Sequence, residues 1–242
     1  MKDMEFVCLP EIFRPSRASI SAFKASKASV LEVPGLDDVS HAFNFVASSV
    51  VNRAPASLLM FKAEGGSANL FEKLILEVGK LSIKEILSAH CLMTGAVRSR
   101  FRRAPVVVGM AINQPMSFMA AEYDVKSDIE WLISACDNIE SDLSMFAFFL
   151  FFFLHVHPFT DGNGRISRIG LLGLSRKRGV KAERMAVLVL AYIERYKVEF
   201  IRVMYMARTS YPGCLISFVE QALVTRFHSD VTSALAPHDQ GN

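Results

Sequence analysis

The 242-residue sequence has few cysteines and none of the spacings that cysteine chemistry requires. Its four cysteines, at positions 8, 91, 136 and 214, are far apart and form no CxxC pair. This argues against a disulfide framework and a zinc site, and it fits a reducing compartment such as the cytoplasm. The N-terminus also lacks the apolar core of a secretory signal. Specialised secretion into a host cell, through the Ser-, Ala-, Lys- and Arg-rich stretch 14–30, remains the alternative.

The sequence also has little net charge. The balance is +3, and basic residues cluster only at 98–103 and 176–178. No RNA- or DNA-binding motif accompanies these clusters, and such clusters are usually solvated surfaces. We therefore expect no nucleic-acid partner.

No apolar run is long enough to cross a bilayer. The most apolar stretch, MFAFFLFFFL at 145–154, covers only ten residues, whereas a membrane span needs roughly 20. A helix that is apolar on every side is typical of the centre of a helical domain. We therefore expect no membrane span.

What the chain does contain is apolar residues at helical spacing. The pattern predicts helices at 36–51, 70–79, 83–93, 128–136, 143–156, 165–178, 183–195, 198–208 and 215–227. Ser82 is suited to an N-cap and Gly179 to a C′ position. The stretch 104–112 is rich in β-branched residues and interrupted by Pro and Gly, which predicts a short strand or hairpin. The predicted fold is all-α, with one helical domain and a short β flap.

The chemistry is concentrated in HVHPFTDGNGRISR at 155–168. Gly162 and Gly164 flank Asn163 just before a predicted helix, so backbone N–H groups and the helix N-terminus can form an anion site. Arg165 and Arg168 lie three residues apart and reach the same side. Two arginines and a ring of amides suit a polyphosphate.

Two further residues of this stretch suggest a reaction. Asp161 would repel phosphates unless a divalent metal, Mg²⁺, is shared between them. His157, at the end of the buried helix, is placed to take a proton from a hydroxyl. Taken singly, each residue fits an ordinary capped helix and polar loop. A structural loop, however, has no need of all of them in so small a space.

The stretch HPFTDGNGRISR, at 157–168, resembles the Fic family motif HPFx[D/E]GNGRxxR at every specified position. Weaker resemblance extends over about residues 40–180. The resemblance implies an all-helical core with a β-hairpin flap. It also implies transfer of AMP from ATP to a hydroxyl of a target protein. His157 would be the base and Asp161 the Mg²⁺ ligand, while Gly162, Asn163 and Gly164 would bind the α- and β-phosphates.

The resemblance assigns two further sets of residues. Arg165 and Arg168 would hold the β- and γ-phosphates. Val106, Val107 and Val108 would belong to the flap, which aligns the target by strand addition. The implied reaction is attack of the hydroxyl on the α-phosphorus with loss of pyrophosphate.

Many Fic proteins also carry an inhibitory helix, [S/T]xxxE[G/N], whose glutamate pairs with the second motif arginine. The pattern around this helix fits residues 47–58, with Ser48 at the Ser/Thr position. However, Asn52 stands at the glutamate position and Arg53 at the glycine position. Asn52 carries no charge, so any bond to Arg168 would be roughly half as strong as a charge-assisted one. We therefore expect no inhibition by this glutamate position. The alternative is that the segment is simply a surface helix.

The predicted domain organisation has three parts. Residues 1–40 form an N-terminal leader or extension, residues 41–228 a Fic-like helical domain, and residues 229–242 a C-terminal tail. The inhibitory-helix-like segment spans 41–58 and the flap about 103–113. A helical interaction module that binds nucleotide without transfer, and a Fic enzyme that transfers UMP or GMP, remain alternatives. The sequence also leaves a homodimer or a regulatory partner open.

Overall fold

In the computed structural model, the residues described are 12–13, 21–23, 36–51, 67–69, 71–76, 81–108, 118–120, 124–208 and 212–225. The helices in chain order are α1 (Leu36–Val51), α2 (Ile83–Thr94), α3 (Val125–Asp137), α4 (Asp142–Val156), α5 (Asn163–Arg178), α6 (Val180–Arg195), α7 (Lys197–Arg208) and α8 (Gly213–Val224). The strands are β1 (Ile12–Phe13), β2 (Val106–Val108) and β3 (Phe118–Ala120). Residues 21–23, 67–69 and 71–76 are also helical. The all-α fold class predicted from the sequence is confirmed.

Helix α4 is the centre of the fold. Every residue from Leu143 to Phe153 is buried, as the apolar stretch predicts. Helices α3, α5 and α8 pack around it, and Trp131 of α3 contacts Phe152 with ring centroids 5.3 Å apart. The central helix therefore provides a rigid support for whatever follows its C-terminal end.

The helices around α4 position the functional loop. Helix α6 packs against α1 and α5, and α2 packs against α5. Ser82 and Glu85 form a reciprocal capping box at the start of α2, which satisfies two N–H groups that a helix start leaves unpaired. Gly179 separates α5 from α6 with φ of 107°, a conformation that favours glycine.

The flap is a small sheet beside the helical core. Strands β2 and β3 are antiparallel, with Val107 opposite Met119. Strand β1 pairs with β3 in parallel, which gives the order β1-β3-β2 and places β2 at an edge of the described sheet. The hairpin expected at 104–112 is therefore formed by strand 106–108 and a more distant partner strand.

The N-terminal extension contributes to the core. Phe23 is fully buried and its ring contacts those of Phe148 and Phe151, with centroids 5.8 and 5.4 Å apart. Strand β1 also lies within this region, and α1 crosses the predicted boundary at residue 40. Residues 21–23, within the N-terminal leader or extension expected at 1–40, thus pack against the central helix. Within the described ranges, no helix has both the length and the apolarity needed to cross a bilayer.

Candidate functional site

His157 stands at the C-terminal end of the buried helix α4. It caps this helix in a left-handed conformation, with φ of 49° and ψ of 62°, and its N–H donates to the carbonyl of Phe153. A left-handed conformation costs a residue with a side chain roughly 1–2 kcal/mol. Pro158, which follows directly, cannot continue the helix. The cap therefore turns the chain out of the core at His157.

The imidazole of His157 has a defined tautomer. Its Nδ1 lies 3.1 Å from the carbonyl oxygen of Leu154. A carbonyl only accepts, so Nδ1 carries the proton and Nε2 keeps its lone pair. Burial lowers the pKa of His157 to about 4, which keeps the ring neutral near pH 7. The side chain is therefore available as a base.

The loop after His157 is fastened to the core by two residues. Phe159 is buried, and its backbone N–H donates to Oδ1 of Asn163 at 2.9 Å. Nδ2 of Asn163 donates in turn to the carbonyl of Phe159 at 2.7 Å. The side chain of Asn163 thus shapes the loop. Because this side chain is used within the loop, the groups that could bind an anion are the backbone N–H groups at the start of α5. The first N–H groups of a helix have no intrahelical acceptor.

The two glycines of the motif have different roles. Gly162 has φ of 82°, which strains any residue with a side chain. Gly164 is helical, but a Cβ added there would lie 3.1 Å from Nη1 of Arg168. Gly162 is therefore required by the backbone, and Gly164 leaves room for a guanidinium.

Arg165 and Asp161 lie together at the mouth of the site. Nη2 of Arg165 is 3.3 Å from Oδ2 of Asp161, and the Asp161 side chain is 85% exposed. Nη1 of Arg165 donates to the carbonyl of Met93. Among the described residues, no group of three or more acidic, His or Cys side chains could hold a metal. One exposed carboxylate nevertheless fits Mg²⁺, which usually takes one or two carboxylates together with substrate phosphates.

Arg168 pairs with an acidic residue that the motif does not contain. Its Nη2 forms an ion pair with Glu194 of α6, and both side chains are almost buried, 14% and 11% exposed. Its Nη1 donates to the carbonyl of Gly164. Nε of Arg168 has no hydrogen-bond partner among the described residues. The guanidinium is thus held by a carboxylate, while one of its buried donors has no partner among the described residues.

His90 of α2 fixes the loop from the other side. Its ring stacks on that of Phe159, with centroids 3.9 Å apart. Nε2 is 3.0 Å from the carbonyl of Asp161, so it carries the proton, and Nδ1 accepts from the hydroxyl of Ser99 at 2.7 Å. Burial lowers the pKa of His90, which favours this neutral form. His90 therefore holds the backbone of Asp161 in place.

These side chains surround a cavity of about 840 Å³. His157, Asp161, Arg165 and Arg168 line it together with the three residues of the Gly-Asn-Gly turn. Val108 lines it from the flap; Val106 and Val107 are not among its lining residues, and Val107 is 40% exposed. The structure thus brings together the candidate residues of the motif and one end of β2.

The predicted regulatory segment lies partly beside this cavity. Ser49 and Val50, near the end of α1, line it. Ser48 is a half-buried residue of α1 and is not among the lining residues. Asn52 and Arg53 lie outside the described residues. The acidic partner of Arg168 that is described comes instead from α6.

Sequence reasoning missed Glu194 and Arg102 and did not assign His90 to the site. The sequence did give one indication for Glu194. Its carboxylate directly follows residues 185–191 and Ile193, which are buried residues of an amphipathic helix. Arg102 had none, because its neighbours at 98, 100 and 103 are also arginines. For His90 the indication was its polar ring, which lies in the helix between Ala89 and Met93, two buried residues.

Known proteins give an independent comparison. Residues 80–172 match the model of the Fic/DOC family. A Fic family protein from Desulfovibrio desulfuricans G20 is similar in structure, with a TM-score of 0.59 and 18% identity over 95% of this chain and 79% of that one. A Fic domain containing signaling protein from Bacteroides thetaiotaomicron VPI-5482 gives a TM-score of 0.44 and 14% identity over 93% and 97%. The matched region contains the whole motif and strands β2 and β3, and the helical fold of the chain is similar to that of the Fic family protein from Desulfovibrio desulfuricans G20.

Proposed function

We propose that this chain transfers AMP from ATP to a Ser, Thr or Tyr hydroxyl of a target protein. The observation that carries the proposal is the cavity in which a neutral, half-buried histidine faces two arginines and the start of α5. Fic proteins are in general transferases that act on proteins, and this chain has every specified residue of the family motif. The base, the anion site and one end of an edge strand meet in a single place.

In the proposed reaction, Nε2 of His157 takes the proton of the target hydroxyl as its oxygen bonds to the α-phosphorus. The bond between the α-phosphorus and the bridging oxygen breaks, and pyrophosphate leaves. Catalysis comes from positioning and charge stabilisation, because no protein group bonds to phosphorus. The tautomer that Leu154 fixes makes Nε2 the acceptor.

Binding of the triphosphate is assigned to the start of α5 and to the two motif arginines. The N–H groups around Gly162 and Gly164 would donate to the α- and β-phosphate oxygens, and Arg165 and Arg168 would donate to the β- and γ-phosphate oxygens. Asp161 would hold Mg²⁺, which neutralises phosphate charge and orients the leaving group. The target would add a strand to the edge formed by Val106, Val107 and Val108.

The test uses ATP labelled at either the α- or the γ-phosphate, with Mg²⁺ and a cell lysate. We expect label from the α-position, and none from the γ-position, in a protein band that is absent with His157→Ala. Asp161→Asn should lower the label and shift its Mg²⁺ dependence to higher concentration. Transfer of γ-label would indicate a kinase, and preferential labelling by UTP or GTP would indicate another nucleotide. Nucleotide binding without label in any band would reject transfer.

A further inference from the structure

One member of the basic cluster at 98–103 is unlike the others. Arg102 is 7% exposed, whereas Arg98, Arg100 and Arg103 are exposed to solvent. A guanidinium is expensive to bury unless its donors are satisfied. The contacts of Arg102 therefore indicate what this part of the cluster does.

Arg102 donates to three backbone carbonyls. Its Nε donates to the carbonyl of His157 at 2.7 Å and its Nη2 to that of Val156 at 2.8 Å. Its Nη1 donates to the carbonyl of Ala104 at 2.7 Å. The backbone N–H of Arg102 donates to Pro158 at 2.9 Å. The segment around Arg102 thus lies along the end of α4, where carbonyls lack intrahelical donors.

We propose that Arg102 is a positioning residue of the transfer reaction, which fixes the backbone of His157 and with it the direction of Nε2. This inference rests on the proposed function. Arg102 reaches the reacting atoms only through His157, so its role is distinct from that of the base.

The backbone of His157 explains why such a residue is needed. A left-handed conformation in a residue with a side chain persists only where the surroundings hold it. Here the surroundings are the carbonyls on either side of the His157 Cα, both bonded to one guanidinium. The rigid planar fork fixes their relative orientation, which a single ammonium on a flexible stem cannot do.

The third bond connects the base to the flap. Ala104 precedes β2 by two residues, and Val108 at the other end of β2 lines the cavity. One side chain therefore sets both the end of α4 and the entry to the strand on which the target would dock. The distance between base and docked hydroxyl depends on Arg102.

The test compares Arg102→Lys and Arg102→Gln with Arg100→Gln, which removes the same charge from an exposed neighbour outside the flap. Transfer of α-label is measured at varied ATP. A misplaced base should lower the rate at saturating ATP by roughly 100-fold and leave the KM for ATP within about threefold, because the arginines of α5 are untouched. Arg100→Gln should stay within about twofold of the parent in both quantities, because surface changes have small effects.

A second readout needs no activity. In ¹⁵N spectra of the imidazole at pH 7, we expect the parent to show a single Nδ1–H tautomer at His157. Arg102→Gln should show a mixture, because the ring no longer stays aligned with the carbonyl of Leu154. If the parent transfers nothing, the proposed function fails while this spectrum still decides the role of Arg102.

Circular dichroism and the stoichiometry of ATP binding show whether each variant is folded. If Arg102→Gln does not fold, the decision falls to Arg102→Lys, at a temperature where it is fully folded. A folded Arg102→Lys with the parent's saturating rate and tautomer would overturn the proposal. So would a loss of rate that only matches the unfolded fraction.

Discussion

The ion pair between Arg168 and Glu194 leads to a prediction about nucleotide affinity. In the structure the guanidinium that would bind the terminal phosphates is held by a carboxylate, and both side chains are almost buried. The same carboxylate lines the cavity and repels an entering polyphosphate. Glu194→Gln keeps the shape and a hydrogen-bond acceptor but removes the charge. We therefore expect ATP to bind more tightly to this variant.

The magnitude follows from the kind of bond that ATP must displace. A hydrogen bond between charged groups contributes roughly 1.5–3 kcal/mol, and a neutral partner about half of that. The variant should thus release Arg168 at a cost lower by roughly 0.8–1.5 kcal/mol, which corresponds to about a four- to twelvefold lower Kd. Isothermal titration with ATP and Mg²⁺ measures this directly.

Two controls separate the contact from a general charge effect. Glu199→Gln makes the same charge change at an exposed position of α7 that is not among the cavity's lining residues. AMP lacks the phosphates assigned to Arg168, so its Kd should not change. Unchanged or weaker ATP binding by Glu194→Gln would refute competition and indicate that Glu194 aligns Arg168. Equal tightening by Glu199→Gln would refute the role of the contact.

Four further predictions concern the glycines and histidines. Gly162→Ala should lower the free energy of unfolding by roughly 1–2 kcal/mol, since its φ is 82°. Gly164→Ala should leave urea denaturation nearly unchanged but weaken ATP binding, because the added Cβ meets Arg168 at 3.1 Å. The transfer rate should be flat from pH 8 to about 5 and fall only near the pKa of His157, about 4, whereas a midpoint near 6.5 would contradict burial of the ring. Burial also lowers the pKa of His155 to about 3, so stability should be complete above pH 6.5. Below that pH it should fall, because the unfolded chain binds more protons, and each buried histidine adds a slope of up to roughly 1.4 kcal/mol per pH unit. His155→Gln should remove one such contribution in urea titrations.

The sequence predicts most of the helical framework because helical spacing is a local property. The central helix was expected at 143–156 and is found at Asp142–Val156. Errors occur at the ends, where α6 begins at Val180 instead of 183 because Gly179 serves as a boundary for two helices. Helix ends depend on backbone geometry and capping, which hydrophobic spacing does not encode.

The candidate site can also be predicted from the sequence, because the residues of the motif lie within twelve positions of one another. Residues that contact the motif from distant parts of the chain cannot be predicted from a single sequence. Glu194 reaches Arg168 only because α5 and α6 pack together. Arg102 reaches His157 across 55 positions of the chain. Arg102 has no sequence feature that distinguishes it from its solvated neighbours, and the position of Glu194 after a buried run does not identify its partner, because contacts between helices are a property of the assembled fold.

The burial of Phe23 has a consequence for where this protein can be cut. Its ring fills space among three phenylalanines of α4, the helix whose end carries His157. Removing the first 40 residues would therefore leave a void in the core as well as remove strand β1. Loss of a buried phenylalanine side chain typically costs about 3–5 kcal/mol, a large share of a domain's stability. The shortest fragment that folds should thus begin before residue 12, and proteolysis of the N-terminal segment should inactivate the site from a distance.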